Sequence, residues 1–372
     1  MNKNASRIQA LVLTGFLALF FLLNIAIPDR SFSEQENRYL QTAPRFRITE
    51  FFSGRFSSNF ENYVTDQFAF RDQWMTLKAR AELLSGKGEN NGICYCAGET
   101  LIEPFSAPTD EEFARRLDAM KALKAGLEIP VYYALIPTAA EIWADMLPDG
   151  VPNDSQKALI DLADRELSGS TADIYGALAA HADEPIFYRT DHHWTTLGAY
   201  YGYFAVADAM GLQPIPLDTY TKQIVSDGFF GTNCASSGFS WVRPDSIWTY
   251  VSQGDAIITD YPEGDPVPGK LYDETALSTR DKYRYFYGGN TPLITVETGK
   301  EGAPSLLILR DSFMDSMSPF LFAHFSKLHI VDLRYFRADL SAYIAENDID
   351  SILVCYSVKN FCEDASIFLA VP

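Results

Sequence analysis

Histidine and cysteine are both scarce, with five of each in 372 residues. Positive charge is short as well: 30 lysines and arginines stand against 49 aspartates and glutamates, for a formal net charge of -19. A protein that binds phosphate backbones needs a basic face, so this balance excludes nucleic acid as a partner. The acidity itself reads as solubility. An odd number of cysteines cannot all pair within one chain. Cys94 and Cys96 are one residue apart, too close for an easy disulfide and not spaced as a zinc knuckle. The thiols therefore read as small buried hydrophobes. Internal repeats and low-complexity tracts are absent from the sequence. Apolar material is plentiful: 47% of residues are hydrophobic and 14% aromatic, enough for a large core.

Charge is missing altogether from "IQALVLTGFLALFFLLNIAIP", Ile8 to Pro28. A run of this length crosses a bilayer as one helix. Lys3 and Arg7 precede it, which sets an N-in orientation with the remainder outside the cytoplasm. A cleaved signal peptide is the rival, but no small-x-small site follows the run, so a retained anchor is expected. The expected organisation is an anchor or signal segment over 1–30 and one extracytoplasmic domain over 31–372.

Within that domain, apolar residues at helical spacing predict two helices around a break at "DQFAFRD", and "NNGICYCAGETLIEP" reads as a short hairpin. "DEEFARRLDAMKALKAGLE" has acids in its first turn, as a helix N-terminus favours. "IPVYYALIPT" is an apolar run of the kind buried in a parallel sheet. "NDSQKALIDLADREL" is a further helix, "EPIFY" a short strand, and "TTLGAYYGYFAVADAMG" a helix starting near Thr195. From about 212 to 302 the chain is rich in Tyr, Asp, Gly and Pro and reads as inserted strands and loops. After it, "SLLILRDS", "KLHIVDLR" and "DSILVCYS" alternate with helical segments. Such alternation predicts an α/β fold with a mostly parallel sheet flanked by helices.

Sites in parallel α/β sheets gather at the carboxyl ends of strands. Two stretches are placed there. "LLILRDSF" puts Ser312 between a buried strand and a helix, where a hydroxyl projects and helix amides lie near to receive an oxyanion. "IFYRTDHHW" supplies Asp191, His192, His193 and Trp194. Serine needs a base, and the base an orienting acid. On an extended segment Asp191 and His193 face one side and His192 the other, so Asp191 holds one ring nitrogen of His193 and leaves the other for Ser312. His192 is then a neighbouring or substrate-contacting group, and Trp194 packs behind the imidazole. A helix cap is the bland alternative for Ser312. A metal site is the alternative for the histidines; adjacent side chains diverge and His181, His324 and His329 are scattered, so neither a metal nor another cofactor is expected. Arg38 and Arg71 read as buried ion pairs joining the N-terminal helices to the core.

Several stretches together resemble the DHHW family of exported bacterial proteins: "ENRYLQTAPRF", "DQFAFRD", "YALIPTAAEI", "TDHHWTTLGAYY", "YGGNTPL" and "RDSFMDSMSPFL". That family resembles the alginate O-acetyltransferases, whose SGNH-hydrolase-like (flavodoxin-like) domain carries Asp-x-His ahead of a nucleophilic serine. The resemblance covers nearly all of the chain after the apolar run. It implies Ser312 as nucleophile, His193 as base and Asp191 as its orienter. The SGNH serine follows Gly-Asp, whereas here Arg310 stands in the glycine position, where it would crowd the turn; the choice of base between His192 and His193 also stays open. "YGGN", with Gly289 and Asn290, is the best source of oxyanion donors, a plain β-turn being the alternative. Gly289, Asn290, Arg310, His192 and Trp194 make up the expected oxyanion and substrate contacts.

The resemblance implies transfer or removal of an O-acyl group on a cell-surface polysaccharide, with a membrane-bound acyltransferase as partner if acyl groups come from inside the cell. A catalytically silent glycan-binding or envelope-assembly protein is the alternative. The distance between Ser312 and His193 discriminates the two. A metal-dependent hydrolase would need a further carboxylate converging on Asp191 and His193.

Overall fold

The computed structural model describes residues 3–167, 169–251 and 256–371. Two residues of the expected N-terminal segment and four of the inserted stretch, 252–255, lie outside the described residues. The chain divides into two compact units, Met1–Asn90 with Cys234–Trp241, and Asn91–Asn233 with Val242–Pro372.

The first unit is helical: α1 (Lys3–Ala26), α2 (Ile48–Phe52), α3 (Arg55–Asp66) and α4 (Arg71–Leu84). The break predicted at "DQFAFRD" falls between α3 and α4, where Phe70 takes a left-handed φ of 60°. Asp66 accepts both guanidinium nitrogens of Arg38, at 2.5 and 3.0 Å, and the Gln41 amide. Glu36 meets Arg38 at 2.9 Å and Arg71 at 2.6 Å. The two arginines are thus ion-paired, with partners inside this unit. The far end of α1 packs on the same helices: Phe20 stacks on Phe68 at 5.6 Å, and the Asn24 side chain accepts the Ala69 amide at 2.7 Å.

The second unit holds, in order, β1 (Ile93–Cys96), β2 (Thr100–Ile102), α5 (Asp110–Ala125), β3 (Val131–Ile136), α6 (Gln156–Glu166), α7 (Ile174–Ala179), α8 (Thr196–Ala209), β4 (Thr221–Phe229), β5 (Asp245–Val251), β6 (Ile257–Asp260), β7 (Val267–Pro268), β8 (Leu293–Glu297), β9 (Ser305–Arg310), α9 (Met314–Leu321), β10 (Lys327–Val331), α10 (Leu340–Glu346), β11 (Ser351–Ser357) and α11 (Val358–Glu363). β1 and β2 form the expected antiparallel hairpin. α5 starts on a capping box: the Thr109 hydroxyl accepts the Glu112 amide while Glu112 accepts the Thr109 amide.

Seven strands form the main sheet, in the order β7-β6-β8-β10-β9-β11-β3. β3, β11, β9 and β10 are parallel to their neighbours within this group, whereas β8, β6 and β7 are antiparallel. The sheet is mixed, and its antiparallel edge comes from the stretch between 212 and 302. The parallel strands are continuous apolar runs because both faces are covered. Leu306 and Ile308 of β9 enter one core with Leu353 of β11, while Leu307 and Leu309 enter the other with Ile352 and Val354. Each such side chain contributes about 1.5–3 kcal/mol on burial. All five cysteines are buried. "EPIFY" forms no strand. Its Phe187 makes only an isolated antiparallel bridge with Trp194, so the chain turns back on itself between them.

Candidate active site

Ser312 stands two residues past the end of β9 and two before the start of α9. Asp311 pins this turn. It is fully buried, and its carboxylate accepts the Phe313 amide at 3.0 Å and, each at 2.8 Å, the Ser357 amide, the Ser357 hydroxyl and the Asn360 side-chain amide. The serine's position is thus tied to the end of the neighbouring strand β11.

The histidine segment reaches Ser312 from a loop. Asp191 folds its carboxylate onto its own chain, where Oδ1 accepts the His193 backbone amide at 3.0 Å, as short acidic side chains do in turns. The same oxygen lies 2.6 Å from His193 Nδ1, and His193 Nε2 lies 2.8 Å from Ser312 Oγ. The carboxylate only accepts, so the proton sits on Nδ1 and leaves Nε2 free to accept from the serine. Asp191, His193 and Ser312 are therefore one hydrogen-bonded chain.

The turn changes where His192 goes. An extended segment would send it away from His193, but the two rings lie 3.8 Å apart and both line the cleft. His192 Nδ1 is 2.5 Å from Thr232 Oγ1. The Thr232 hydroxyl and amide donate to Asp191 Oδ2 at 3.1 and 2.8 Å, so Asp191 receives four hydrogen bonds. Burial alone would push its carboxyl up; the two imidazoles and the Thr232 amide outweigh burial and hold it far below the usual range. His192 keeps about a third of its side chain open to the cleft and is enclosed elsewhere; burial and the adjacent His193 lower it. Gly231 makes room for the arrangement, since a Cβ there would stand 2.2 Å from the Cβ of Asp191.

Two aromatic residues set the imidazole plane. Tyr283 stacks on His193 at 3.8 Å and 8°, and its hydroxyl stands 3.2 Å from the Ser312 carbonyl oxygen and from Ser316 Oγ. Phe313 lies 5.0 Å away on a tilt. Trp194 is fully buried, donates to the Phe313 carbonyl at 2.9 Å and to Ser316 Oγ at 3.1 Å, and does not line the cleft. It rests against α8 at Gly202, where a Cβ would meet the indole at 2.7 Å.

Arg310 is placed differently from the expectation that it contacts substrate or crowds the turn. As the last residue of β9 it points into the protein and is fully buried. Its Nη1 lies 3.0 Å from Asp315 Oδ1, 4.0 Å from Asp332 Oδ2 and 3.4 Å from Asn290 Oδ1. The Asp315 contact is close enough for an ion pair but is not aligned as a hydrogen bond. Burial raises the Asp315 carboxyl to about 7, against the pull of Arg310. By engaging the carbonyl end of Asn290, Arg310 leaves that amide's NH2 end free. Asn290 and Gly289 do line the cleft, with Ser312, His192, His193 and Tyr283; its volume is about 810 Å³.

Thr232, Gly231 and Asn360 carry no motif, and nothing in the sequence singles out Tyr283 from the other aromatic residues of the inserted stretch as the one that stacks on the imidazole. Asp191, His192 and His193 offer metal-ligating atoms within 4.8 Å of one another, so the adjacent side chains converge rather than diverge. His193 Nδ1 and both Asp191 oxygens are already engaged in the hydrogen-bonded chain.

A family model described as DHHW protein matches residues 84–331. Among solved structures, a DHHW family protein from Eubacterium siraeum is 25% identical, with a TM-score of 0.67 over 76% of this chain and 95% of that one. PatB1 of Bacillus cereus, solved with a sulfonyl adduct, is 20% identical, with a TM-score of 0.62 over 74% of this chain and 96% of that one. The O-acetyltransferase domain of Pseudomonas putida AlgJ superimposes less closely, at 15% identity and a TM-score of 0.48, over 73% and 92%. A search of curated proteins returns no match. The PatB1 likeness is one of fold. The family match covers more than half of the sequence and includes Asp191–Trp194: the chain belongs to the DHHW family.

Proposed function

We propose that the protein is a serine-dependent O-acyltransferase or esterase that acts on a cell-surface glycan, with Ser312 as nucleophile, His193 as base and Asp191 as its orienter. The observation that carries this reading is the unbroken Asp191–His193–Ser312 chain opening on a cleft. Ser312 Oγ attacks the acyl carbonyl carbon while His193 Nε2 takes its proton. The imidazolium that forms is stabilised by Asp191, which stays ionised because its pKa is depressed. The Ser312 backbone amide and the side-chain amide of Asn290 are the donors offered to the oxyanion. His193 then protonates the leaving oxygen, and the acyl group remains on Ser312. In the second half-reaction His193 deprotonates a sugar hydroxyl or water, which attacks the ester, and Ser312 is regenerated. Transfer to a glycan is preferred over hydrolysis through the family resemblance, and acyl supply from inside the cell would require a membrane-bound acyltransferase partner.

The test uses p-nitrophenyl acetate. Wild type should release a burst of p-nitrophenol, while Ser312→Ala and His193→Ala should lose about 10³-fold or more in rate. A sulfonyl fluoride, losing fluoride, should add one sulfonyl group to the wild-type mass and none to Ser312→Ala. Equal ester cleavage by all three chains would end the reading.

A further inference from the structure

His192 stands beside the base with no part in the acyl chemistry set out for Ser312. Its ring lies 3.8 Å from that of His193, whose Nε2 is 2.8 Å from Ser312 Oγ. About a third of its side chain is open to the cleft. Nδ1 is engaged by Thr232 Oγ1 at 2.5 Å. Nε2 hydrogen-bonds to no group among the described residues and, unlike the shielded polar atoms of the interior, keeps accessible surface. It is the nitrogen that the cleft reaches.

The single proton of the Thr232 hydroxyl fixes what Nε2 presents there. Thr232 Oγ1 stands 3.1 Å from Asp191 Oδ2. The carboxylate has no proton to give, so two bare oxygens would face each other unless the hydroxyl donates. With that proton committed to Asp191, Oγ1 accepts from His192, and the ring proton sits on Nδ1. Burial and the adjacent His193 keep the ring uncharged. Nε2 therefore turns a lone pair, not an N–H, into the cleft. An acyl carbonyl, an ester oxygen and an oxyanion only accept hydrogen bonds, so none of them satisfies it, and His192 does not serve the oxyanion. The alcohol of the second half-reaction gives its reacting proton to His193, so a bond to His192 needs a second donor on the same molecule.

We propose that His192 is a specificity residue that selects an acyl-accepting alcohol with a second hydrogen-bond donor beside the reacting hydroxyl, as neighbouring positions of a sugar ring provide. The proposal rests on the acyl-transfer reading of Ser312. His193 takes the proton of the reacting hydroxyl, its oxygen bonds to the acyl carbon, the bond from that carbon to Ser312 Oγ breaks, and the proton passes from His193 to Oγ. The second donor keeps its proton and directs it at His192 Nε2 throughout.

The experiment compares two alcohols that differ in this donor. The full chain in detergent is given p-nitrophenyl acetate with ethylene glycol or, separately, its monomethyl ether at equal concentration. The acetyl ester formed is counted per p-nitrophenol released and per hydroxyl offered, so neither the overall rate nor the two equivalent ends of the glycol enter. Wild type should favour the glycol about fivefold, the size of one hydrogen bond. His192→Phe keeps a ring beside His193 but has no lone pair, and should bring the ratio near one. A second measurement needs no turnover: with histidine labelled in heavy nitrogen, the NMR signals that His192→Phe removes should place the ring proton on Nδ1. Equal sharing by wild type, an undiminished preference in His192→Phe, or a proton on Nε2 would each overturn the assignment. Release of p-nitrophenol no faster than in Ser312→Ala would remove the acyl-enzyme and this role with it, a failure visible before any alcohol is added.

Discussion

At the scale of single residues, Asp191 is the most constrained group in the site. It must hold His193, accept from Thr232, and fit against a backbone with no side chain at Gly231. A methyl at 231 would overlap Asp191, so Gly231→Ala should displace the carboxylate and tilt the imidazole. A misplacement of this size costs about 10²-fold in rate. The check is kcat on p-nitrophenyl acetate beside a thermal melt. A Gly231→Ala chain with wild-type turnover would contradict the close approach. Much of this site was legible because aspartate, two histidines and a strand-end serine are rare types set in few positions. What could not be read was the turn. A two-residue spacing puts Asp191 and His193 on one side of a strand, and the same spacing also suits a carboxylate folded onto the amide two residues ahead. Only the second places His192 beside His193.

Among the elements, β9 and α9 join the placement of Ser312 to stability. Arg310, Asp311 and Asp315 are buried there within six residues of chain. Asp315 titrates in the folded chain near 7, above its ordinary carboxyl value, because burial outweighs Arg310. Between those values the folded state binds more protons than the unfolded one, so stability falls as pH rises through this window and levels off above it. Asp315→Asn lacks the titration. Its melting temperature should therefore gain on wild type by several degrees between pH 4 and pH 8, and a constant difference over that range would refute the buried charge balance. Asp191 has the opposite sign: its contribution is complete above the ordinary carboxyl range and is lost as pH falls toward its depressed folded value. The parallel strands were readable because runs such as "SLLILR" need apolar residues on both faces. β6, β7 and β8 were not assigned to the sheet, since short strands separated by loops rich in Gly and Pro have too few periodic positions to reveal a partner. "EPIFY" has strand composition but spends its backbone bonds on a hairpin-like return, in which Thr195 donates to Ile186 and Tyr188 to His193.

For the whole molecule, the open question is whether α1 stays with the chain. Its 24 residues rise about 36 Å, enough to cross the roughly 30 Å hydrocarbon layer, and none of the apolar window is buried in the protein. An N-terminal apolar helix of this kind serves either as a membrane anchor or as a signal sequence. A removable signal sequence would owe nothing to the folded chain. α1 instead stacks Phe20 on Phe68 and accepts the Ala69 amide through Asn24, where the break between α3 and α4 exposes that amide. Removal at the end of α1 would strip that amide of its acceptor and Phe68 of its ring contact. The mature protein is therefore expected to keep residues 3–26, to remain with membranes after alkaline carbonate washing, and to be open to protease added from outside the cell. Intact-mass measurement of the membrane fraction checks this directly: a mature chain beginning near residue 28, recovered in the soluble fraction, would make α1 a signal sequence and leave the acyltransferase reading to stand on the cleft alone.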